Sequence, residues 1–315
     1  MSSTSETSNP EGSFQPYRRR LLGLAYRMLG SMADAEDAVQ EAYLRWHTAD
    51  RERVLDPRAF LMTTTTRICL DVLASARVRR MEYVGAWLPE PVVDTAALAP
   101  DSRTELAEDL SFALLLILDE LSPLERGAFV LHDVFDFSFK EVGTALERSE
   151  GACRQLAARA RARVRALRPR GTTSAVRSNE IDPKHAKLMS AFGAATQSGD
   201  LKALTQLLAS EARVVTDGGG KVRSALKVIE GADRVAEFLV EVTRKRPDAW
   251  WRDDFTTRFA MINGLPGIIV DAPEGVMQTA AFEIEGDRVR ALYVMRNPDK
   301  LRHLAPQHMR PVANE

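Results

Sequence analysis

The sequence predicts a multidomain protein in which two all-helical domains precede an α+β domain. Apolar residues recur at helical spacing through most of residues 14–167. After residue 183 the pattern changes to short alternating segments, separated by turn sequences such as GGG, NGLPG and EGD. The chain has 315 residues, a length that suits two or three domains. We therefore expect helices packed on a curved antiparallel sheet in the last domain.

Composition places the chain among ordinary globular proteins. Hydrophobic residues make up 45% of the chain and charged residues 28%, and the formal net charge is −1. No apolar run approaches the roughly 20 residues of a membrane-spanning helix, and the polar first residues are not a secretory signal. Cys69 and Cys153 have no metal-site spacing. We therefore expect a reduced cytoplasmic protein with no membrane contact, metal site or cofactor.

The first helical domain is predicted at residues 14–82, after a disordered polar tail over residues 1–13. Its first helix ends at Gly30, and Ser31 or Asp34 is the expected N-cap of the second. The polar face of this second helix carries Asp34, Asp37, Gln40, Glu41 and Arg45. A third helix starts at Pro57, which suits a first helical position, and its end is basic.

A helix-turn-helix motif is predicted near the end of the helical region. A short helix over residues 139–146 is followed by the turn ERSEG and by a second helix with Ser149 as its cap. Residues 151–170 hold seven arginines and no acid, whereas residues 101–150 hold twelve acids and four basic residues. Such a local excess of positive charge indicates a surface for a polyanion.

The second helix of this motif carries side chains that suit DNA recognition. Arg154 and Gln155 lie in its first two turns, where a recognition helix contacts base edges. Arginine pairs with guanine and glutamine with adenine. Arginines further along the helix are candidates for phosphate neutralisation, namely Arg159, Arg161 and Arg163. The alternative is a solvated basic helix within a helical bundle. Separately, Cys153 is expected to be a small packed residue rather than a reactive thiol.

The order of these blocks over residues 14–168 resembles the bacterial extracytoplasmic-function (ECF) sigma factors. The resemblance rests on DAEDAVQEAYLRW, on DPRAFLMTTTTRICLDVLASARVRR and on the helix-turn-helix that follows. It implies that residues 14–82 form sigma region 2, a helical bundle, and that residues 104–169 form sigma region 4. A linker over residues 83–103 joins them. Glu147 and Cys153 depart from the Gly and Val common at their positions, and family members often have Asn near Arg67.

The same resemblance implies which residues contact the polymerase and the promoter DNA. The acidic face of the second helix would bind the clamp helices of the β′ subunit of core RNA polymerase, through Asp34, Asp37, Gln40, Glu41 and Arg45. The −10 element would be contacted by Arg67, Asp71, Arg77, Arg79 and Arg80. The −35 element would be contacted by Ser149, Arg154, Gln155, Arg159, Arg161 and Arg163.

Residues 184–302 resemble the SnoaL-like domain, a cone of the NTF2-like superfamily that one group of these sigma factors carries. A linker over residues 170–183 precedes this domain, and a tail over residues 303–315 follows it. Three motifs mark the group: WLPEP, DGGGK and NPDK. We expect an interdomain regulatory role for their residues, which are Trp87, Leu88, Pro89, Glu90, Pro91, Asp217, Gly218, Gly219, Gly220, Lys221, Asn297, Pro298, Asp299 and Lys300. In particular, we predict that Trp87, Leu88 and Pro89 dock on the C-terminal domain.

The sequence thus predicts a sigma factor that directs promoter-specific initiation and is regulated by its SnoaL-like domain. One alternative is a one-component helix-turn-helix regulator whose SnoaL-like domain senses a small molecule. A second is an isomerase or cyclase tethered to a regulatory module, in which Asp253, Asp254, Asp271 or Glu283 would face a pocket. We expect no catalytic residue, because the histidines flank the cone instead of lining its strands. A small-molecule ligand in the cone remains compatible with all of these hypotheses.

Overall fold

The computed structural model describes residues 10–81, 83–93, 110–167, 180–245 and 254–304. The chain forms two compact units. One contains residues 1–82 and 95–170, and the other contains residues 83–94 and 171–315. Residues 83–93, called the linker segment below, therefore belong to the same unit as the C-terminal domain. Among the described residues, no helix combines the length and apolar character needed to cross a membrane.

The first unit is helical throughout its described part. Its helices are α1 (Pro10–Leu29), α2 (Met32–Thr48), α3 (Pro57–Met81), α4 (Phe112–Asp119), α5 (Pro123–Phe129), α6 (Phe139–Leu146) and α7 (Glu150–Leu167). A π-helical turn, Val130–Val134, continues α5. Helix α1 begins at Pro10 and so includes four residues that the sequence analysis assigned to the disordered tail. Burial of Phe14 gives the extra turn a packing contact.

Short-range capping explains where these helices begin. The Ser31 hydroxyl accepts a hydrogen bond from the backbone N–H of Asp34, which confirms the first of the two expected caps of α2. Ser122 and Ser138 form capping boxes with Glu125 and Glu141 at the starts of α5 and α6. Each box satisfies two backbone N–H groups that the helix itself leaves unpaired.

The second unit combines helices with a mixed sheet. Its helices are α8 (Pro183–Ser198), α9 (Leu201–Leu207) and α10 (Ala232–Lys245), and its strands are β1 (Leu208–Asp217), β2 (Ile229–Glu230), β3 (Thr256–Ile262), β4 (Leu265–Ala272), β5 (Gly275–Glu285) and β6 (Arg288–Met295). The strand order is β2-β1-β6-β5-β4-β3. Strands β1 and β6 are parallel, so the prediction of a wholly antiparallel sheet was wrong at this pair. Alternation reports which face a side chain occupies, but it does not report strand direction.

The two faces of the sheet have different partners. Val214 on β1, Phe282 on β5 and Val294 on β6 belong to the apolar core that the helices cover. Phe192 of α8 and Leu239 of α10 lie in the same core. Side chains one residue along each strand point to the opposite face. That face carries the carboxylate of Asp217, which binds the linker segment.

Candidate functional site

Helix α2 presents the polar surface that the sequence predicted. Asp37, Gln40 and Arg45 are exposed on it, whereas Asp34 and Glu41 are half-buried. Arg45 forms an ion pair with Glu41 one turn earlier, with 2.8 Å between Nε and Oε1. Sequence reasoning missed Leu44, which lies among these residues and is 51% exposed.

The loop between α2 and α3 exposes a second apolar side chain. Leu55 is 99% exposed, so it contributes almost nothing to the core. The helix that follows carries Asp71, whose side chain is exposed. The side chains of Arg77, Arg79 and Arg80 lie outside the described part of the structure.

Arg67 is engaged within the first unit. Its Nη2 donates to the carbonyl of Thr144 at 2.7 Å and its Nε to that of Ala145 at 3.3 Å. The Glu147 carboxylate lies 3.3 Å from Nη2. The last carbonyls of a helix have no intrahelical partner and attract a cation. Arg67 therefore stabilises the C-terminal end of α6.

The turn between α6 and α7 uses the residue at which glycine was expected. Glu147 adopts φ +55° and ψ +46°, the left-handed conformation that glycine favours, and it ends α6. The Ser149 hydroxyl then accepts from the backbone N–H of Ala152, as expected for a cap. Cys153 is fully buried, and burial raises the pKa of its thiol. It is a packed residue rather than a reactive nucleophile.

Helix α7 exposes Arg154 and Gln155 at its N-terminal end. The guanidinium of Arg154 pairs with Glu150 and lies 5.4 Å from the ring centre of Phe139. Both contacts are on the surface, where ion pairs contribute little to stability and are readily exchanged. Arg154 is thus held by two surface contacts and remains exposed.

The three arginines predicted to meet phosphates are paired with acids of their own unit. Arg159 binds Glu125 at 2.7 Å, Arg161 binds Asp133 at 2.6 Å and Arg163 binds Glu120 at 2.5 Å. The bond from Arg159 lowers the pKa of Glu125. The sequence could not show this, because the partners lie 28–43 residues away. To bind a phosphate, each of these arginines would have to give up its acidic partner.

One buried carboxylate of the C-terminal domain contacts the linker segment at two points. Asp217, which is 0% exposed, accepts hydrogen bonds on Oδ1 from the Tyr83 hydroxyl at 2.5 Å and from the Gly219 N–H. Its Oδ2 accepts from the Leu88 N–H at 2.9 Å and from Nζ of Lys300 at 2.7 Å. Burial and the bond to Asp217 raise the pKa of Tyr83, so its phenol stays protonated and donates.

Lys300 joins the NPDK motif to the WLPEP motif. Its Nζ donates to the carbonyl of Leu88 at 2.6 Å and lies 4.4 Å from the centre of the Trp87 ring. A cation over a tryptophan face is attracted by the ring. Leu88 is 0% exposed, and Pro89, Glu90 and Pro91 are buried. The structure therefore shows the docking expected from the sequence, whereas its regulatory role stays a prediction.

The DGGGK turn packs against the NPDK motif and against the linker segment. A Cβ on Gly219, which has φ +60°, would lie 2.3 Å from Nδ2 of Asn297. A Cβ on Gly220 would lie 3.1 Å from Val84 of the linker segment. Lys221 forms an ion pair with Asp299, which also binds Arg302. Glycine is required here because it permits both the positive φ and the close approach.

Three residues of this site were missed by sequence reasoning. Tyr83 precedes the WLPEP motif, and Nδ2 of Asn297 donates to its hydroxyl at 3.0 Å. Asn263, fully buried with φ +50°, exchanges two hydrogen bonds with the backbone of Val92. His303, assigned to the tail, donates from Nε2 to the carbonyl of Pro91 at 2.7 Å. Of the three, only Asn263 had a local signal in the sequence: it begins the NGLPG turn, and asparagine adopts a positive φ more readily than most residues.

The carboxylates considered for catalysis have other contacts. Asp271 pairs with Arg258 at 2.7 Å, and Glu283 accepts from the Tyr293 hydroxyl at 2.7 Å. Asp254 is exposed, and Asp253 lies outside the described residues. The described residues include no group of three or more His, Cys, Asp or Glu side chains that could hold a metal.

Comparison with known proteins agrees with this geometry. The Sigma-70 region 2 family matches residues 14–79, and the Sigma-70, region 4 family matches residues 111–164. The ECF RNA polymerase sigma factor SigJ of Mycobacterium tuberculosis is 38% identical over 295 residues, which cover 91% of each chain. The ECF sigma factor SigG of the same species is 32% identical over 63% of this chain and 58% of its own.

The solved structures include a similar protein of the same architecture. The crystal structure of M. tuberculosis SigJ superposes with a TM-score of 0.66 at 34% sequence identity, covering 91% of this chain and 96% of that chain. Helical sigma regions 2 and 4 followed by an α+β domain are therefore the architecture of this protein. The relationship extends over nearly the whole length of both chains, and on this basis the chain belongs to the ECF RNA polymerase sigma factors, which direct promoter-specific transcription initiation.

Proposed function

We propose that three surfaces of the first unit contact the polymerase, the −10 element and the −35 element during initiation. The face of α2 that carries Asp37, Gln40 and Leu44 binds core RNA polymerase, and so the protein acts in the cytoplasm. The loop before α3, which exposes Leu55, and the polar face of α3 contact the −10 element. The N-terminal end of α7 contacts the −35 element. Contact of Arg67 with the −10 element requires its release from α6.

Arg154→Ala is expected to reduce discrimination between the preferred −35 element and mutated ones. Loss of a bidentate contact to a base costs about 1–3 kcal/mol of discrimination. The measurement is transcription by the reconstituted holoenzyme from promoters that differ at single −35 positions.

Arg165→Ala is the matched control, since Arg165 is exposed near the other end of α7. This variant should weaken initiation at all promoters alike. If Arg154→Ala also weakens every promoter by one common factor, Arg154 contacts the backbone and not a base.

We infer further that the C-terminal domain regulates initiation and catalyses no reaction. The observation that carries this proposal is the binding of the linker segment by the Asp217 carboxylate. The linker connects region 2 to region 4 in the sequence. Its release therefore changes the distance that the chain can span between the two DNA-binding regions. The C-terminal domain thus binds the segment that joins region 2 to region 4. Family membership disfavours the one-component regulator, because that hypothesis needs no polymerase.

The test compares the full chain with a chain that ends near residue 170. Both are assayed for promoter-dependent initiation with purified core polymerase. We expect both to initiate, with different rates, because the shorter chain lacks the partners of the linker segment. Equal rates at all promoters would contradict regulation by the C-terminal domain. Failure of both chains to support promoter-dependent initiation would contradict the assignment of the three surfaces.

A further inference from the structure

An aromatic stack lies beside Arg154 in the helix-turn-helix motif. The rings of His132 and Phe139 are stacked, with 3.9 Å between their centres and 27° between their planes. The guanidinium of Arg154 lies 5.4 Å from the centre of the same Phe139 ring. His132 belongs to the π-helical turn, Phe139 begins α6 and Arg154 lies on α7. The stack therefore joins three consecutive helical elements next to the N-terminal end of α7.

The position of the Phe139 ring is set by contacts that do not involve Arg154. Nδ1 of His132 donates a hydrogen bond to the carbonyl of Phe137 at 2.7 Å, and this bond fixes the imidazole on which the Phe139 ring rests. Ser138 and Glu141 form the capping box at the start of α6, which fixes the backbone on either side of Phe139. Both rings are half-buried. The free protein therefore presents a restrained aromatic ring to Arg154.

Arg154 benefits from such a ring because its side chain is long and 57% exposed. A side chain of this kind samples many rotamers, and their loss on binding opposes recognition. A guanidinium within about 6 Å of an aromatic centre is attracted by the ring. The ion pair with Glu150, one turn earlier, restrains the same guanidinium. An arginine that is already restrained loses less conformational entropy when it contacts DNA.

We propose that Phe139 is a positioning residue for recognition of the −35 element, because its ring holds the guanidinium of Arg154 before DNA binds. Its effect on transcription rests on the proposed contact of Arg154 with a −35 base, whereas the placement of Arg154 in the free protein does not. The other role open to Phe139 is packing between α6 and the π-helical turn. Packing alone would affect all promoters alike and would not depend on Arg154, so the two roles are distinguishable.

The placement is measured in the free full chain by NMR of the Arg154 Nε–Hε group, which Arg154→Ala assigns by its absence. An aromatic ring nearby shifts the resonance of such a proton. We expect Phe139→Leu, which keeps an apolar side chain but removes the ring, to shift the Arg154 resonance. Phe139→Tyr keeps the ring and is the matched control, so its Arg154 resonance should stay near that of the parent. An unchanged resonance in Phe139→Leu would overturn the proposal.

The effect on recognition is measured by transcription with the reconstituted holoenzyme from promoters that differ at single −35 positions. Phe139→Leu should reduce discrimination among them about twofold to fivefold, which corresponds to the loss of an exposed cation–π contact. Phe139→Tyr should retain the parental discrimination. In a chain that already carries Arg154→Ala, Phe139→Leu should reduce discrimination no further, because the effects of residues that act through one contact do not add.

Equal reductions with and without Arg154 would overturn the proposal, since Phe139 would then act by packing alone. A reduction in Phe139→Tyr as large as that in Phe139→Leu would overturn it as well, because the aromatic ring would not be the cause. Full discrimination by Arg154→Ala alone would instead contradict the proposed function, and this outcome is observed without any change at Phe139. The NMR measurement would then still decide whether the ring holds Arg154.

Discussion

Asp217→Asn is expected to release the linker segment from the C-terminal domain. The substitution preserves the size of the side chain but removes the charge that opposes Lys300, whose side chain is 9% exposed. It also places an NH₂ group where the carboxylate accepts hydrogen bonds. Removing one partner of a buried ion pair costs about 3–5 kcal/mol, because the other charge stays buried without compensation. A loss of that size is a large share of what the contacts of one short segment supply, so the segment should detach far more often than in the parent.

Hydrogen exchange at the Leu88 and Val92 amides measures the release directly. Leu88 donates to Asp217 itself, and Val92 donates to Asn263 at the other end of the segment. Both amides should lose protection in the variant. Initiation by the variant should then approach that of the chain ending near residue 170.

Asp299→Asn provides the matched control. Like Asp217, Asp299 forms ion pairs, but its partners Lys221 and Arg302 lie at the surface. An exposed pair contributes at most about 1 kcal/mol, so protection at Leu88 should persist. Retained protection at Leu88 in Asp217→Asn would show that apolar burial of the WLPEP motif is sufficient for docking.

Gly219→Ala is expected to destabilise the second unit more than the same substitution at Gly286. Both glycines have positive φ, +60° and +64°. Alanine in this conformation costs about 1–2 kcal/mol at either position. A Cβ on Gly219 would in addition lie 2.3 Å from Nδ2 of Asn297, whereas a Cβ on Gly286 has nothing within 4 Å. Forcing an atom into a packed site adds about 1–3 kcal/mol.

The comparison is made by urea unfolding of both variants and the parent. The shared backbone cost cancels between the variants, so their difference reports the contact between the DGGGK and NPDK motifs. Asn297 also donates to Tyr83, and its displacement should therefore reduce protection of the linker segment. Equal destabilisation by the two substitutions would mean that Asn297 moves away at no cost.

Much of the first unit followed from local sequence. Ser31 and Ser149 were identified as caps because a cap bonds to a backbone group only two or three residues away. The helix-turn-helix, its packed Cys153 and the exposed Arg154 follow from the same short-range periodicity. Glycine was not needed at Glu147, since one residue can bear a left-handed conformation when the turn around it is well bonded.

The sequence by itself determined the helices, the order of the domains and the three motifs that meet at the linker segment. Only the tertiary structure decided which groups satisfy one another. Asp217 bonds to Leu88 across 129 residues, Asn263 to Val92 across 171, and Lys300 to Leu88 across 212. Strands β1 and β6 pair in parallel, and the arginines of α7 find acids on other helices. Local hydrogen bonds are fixed by spacing along the chain, whereas these partners are selected by which buried charges and backbone groups the packed fold brings together.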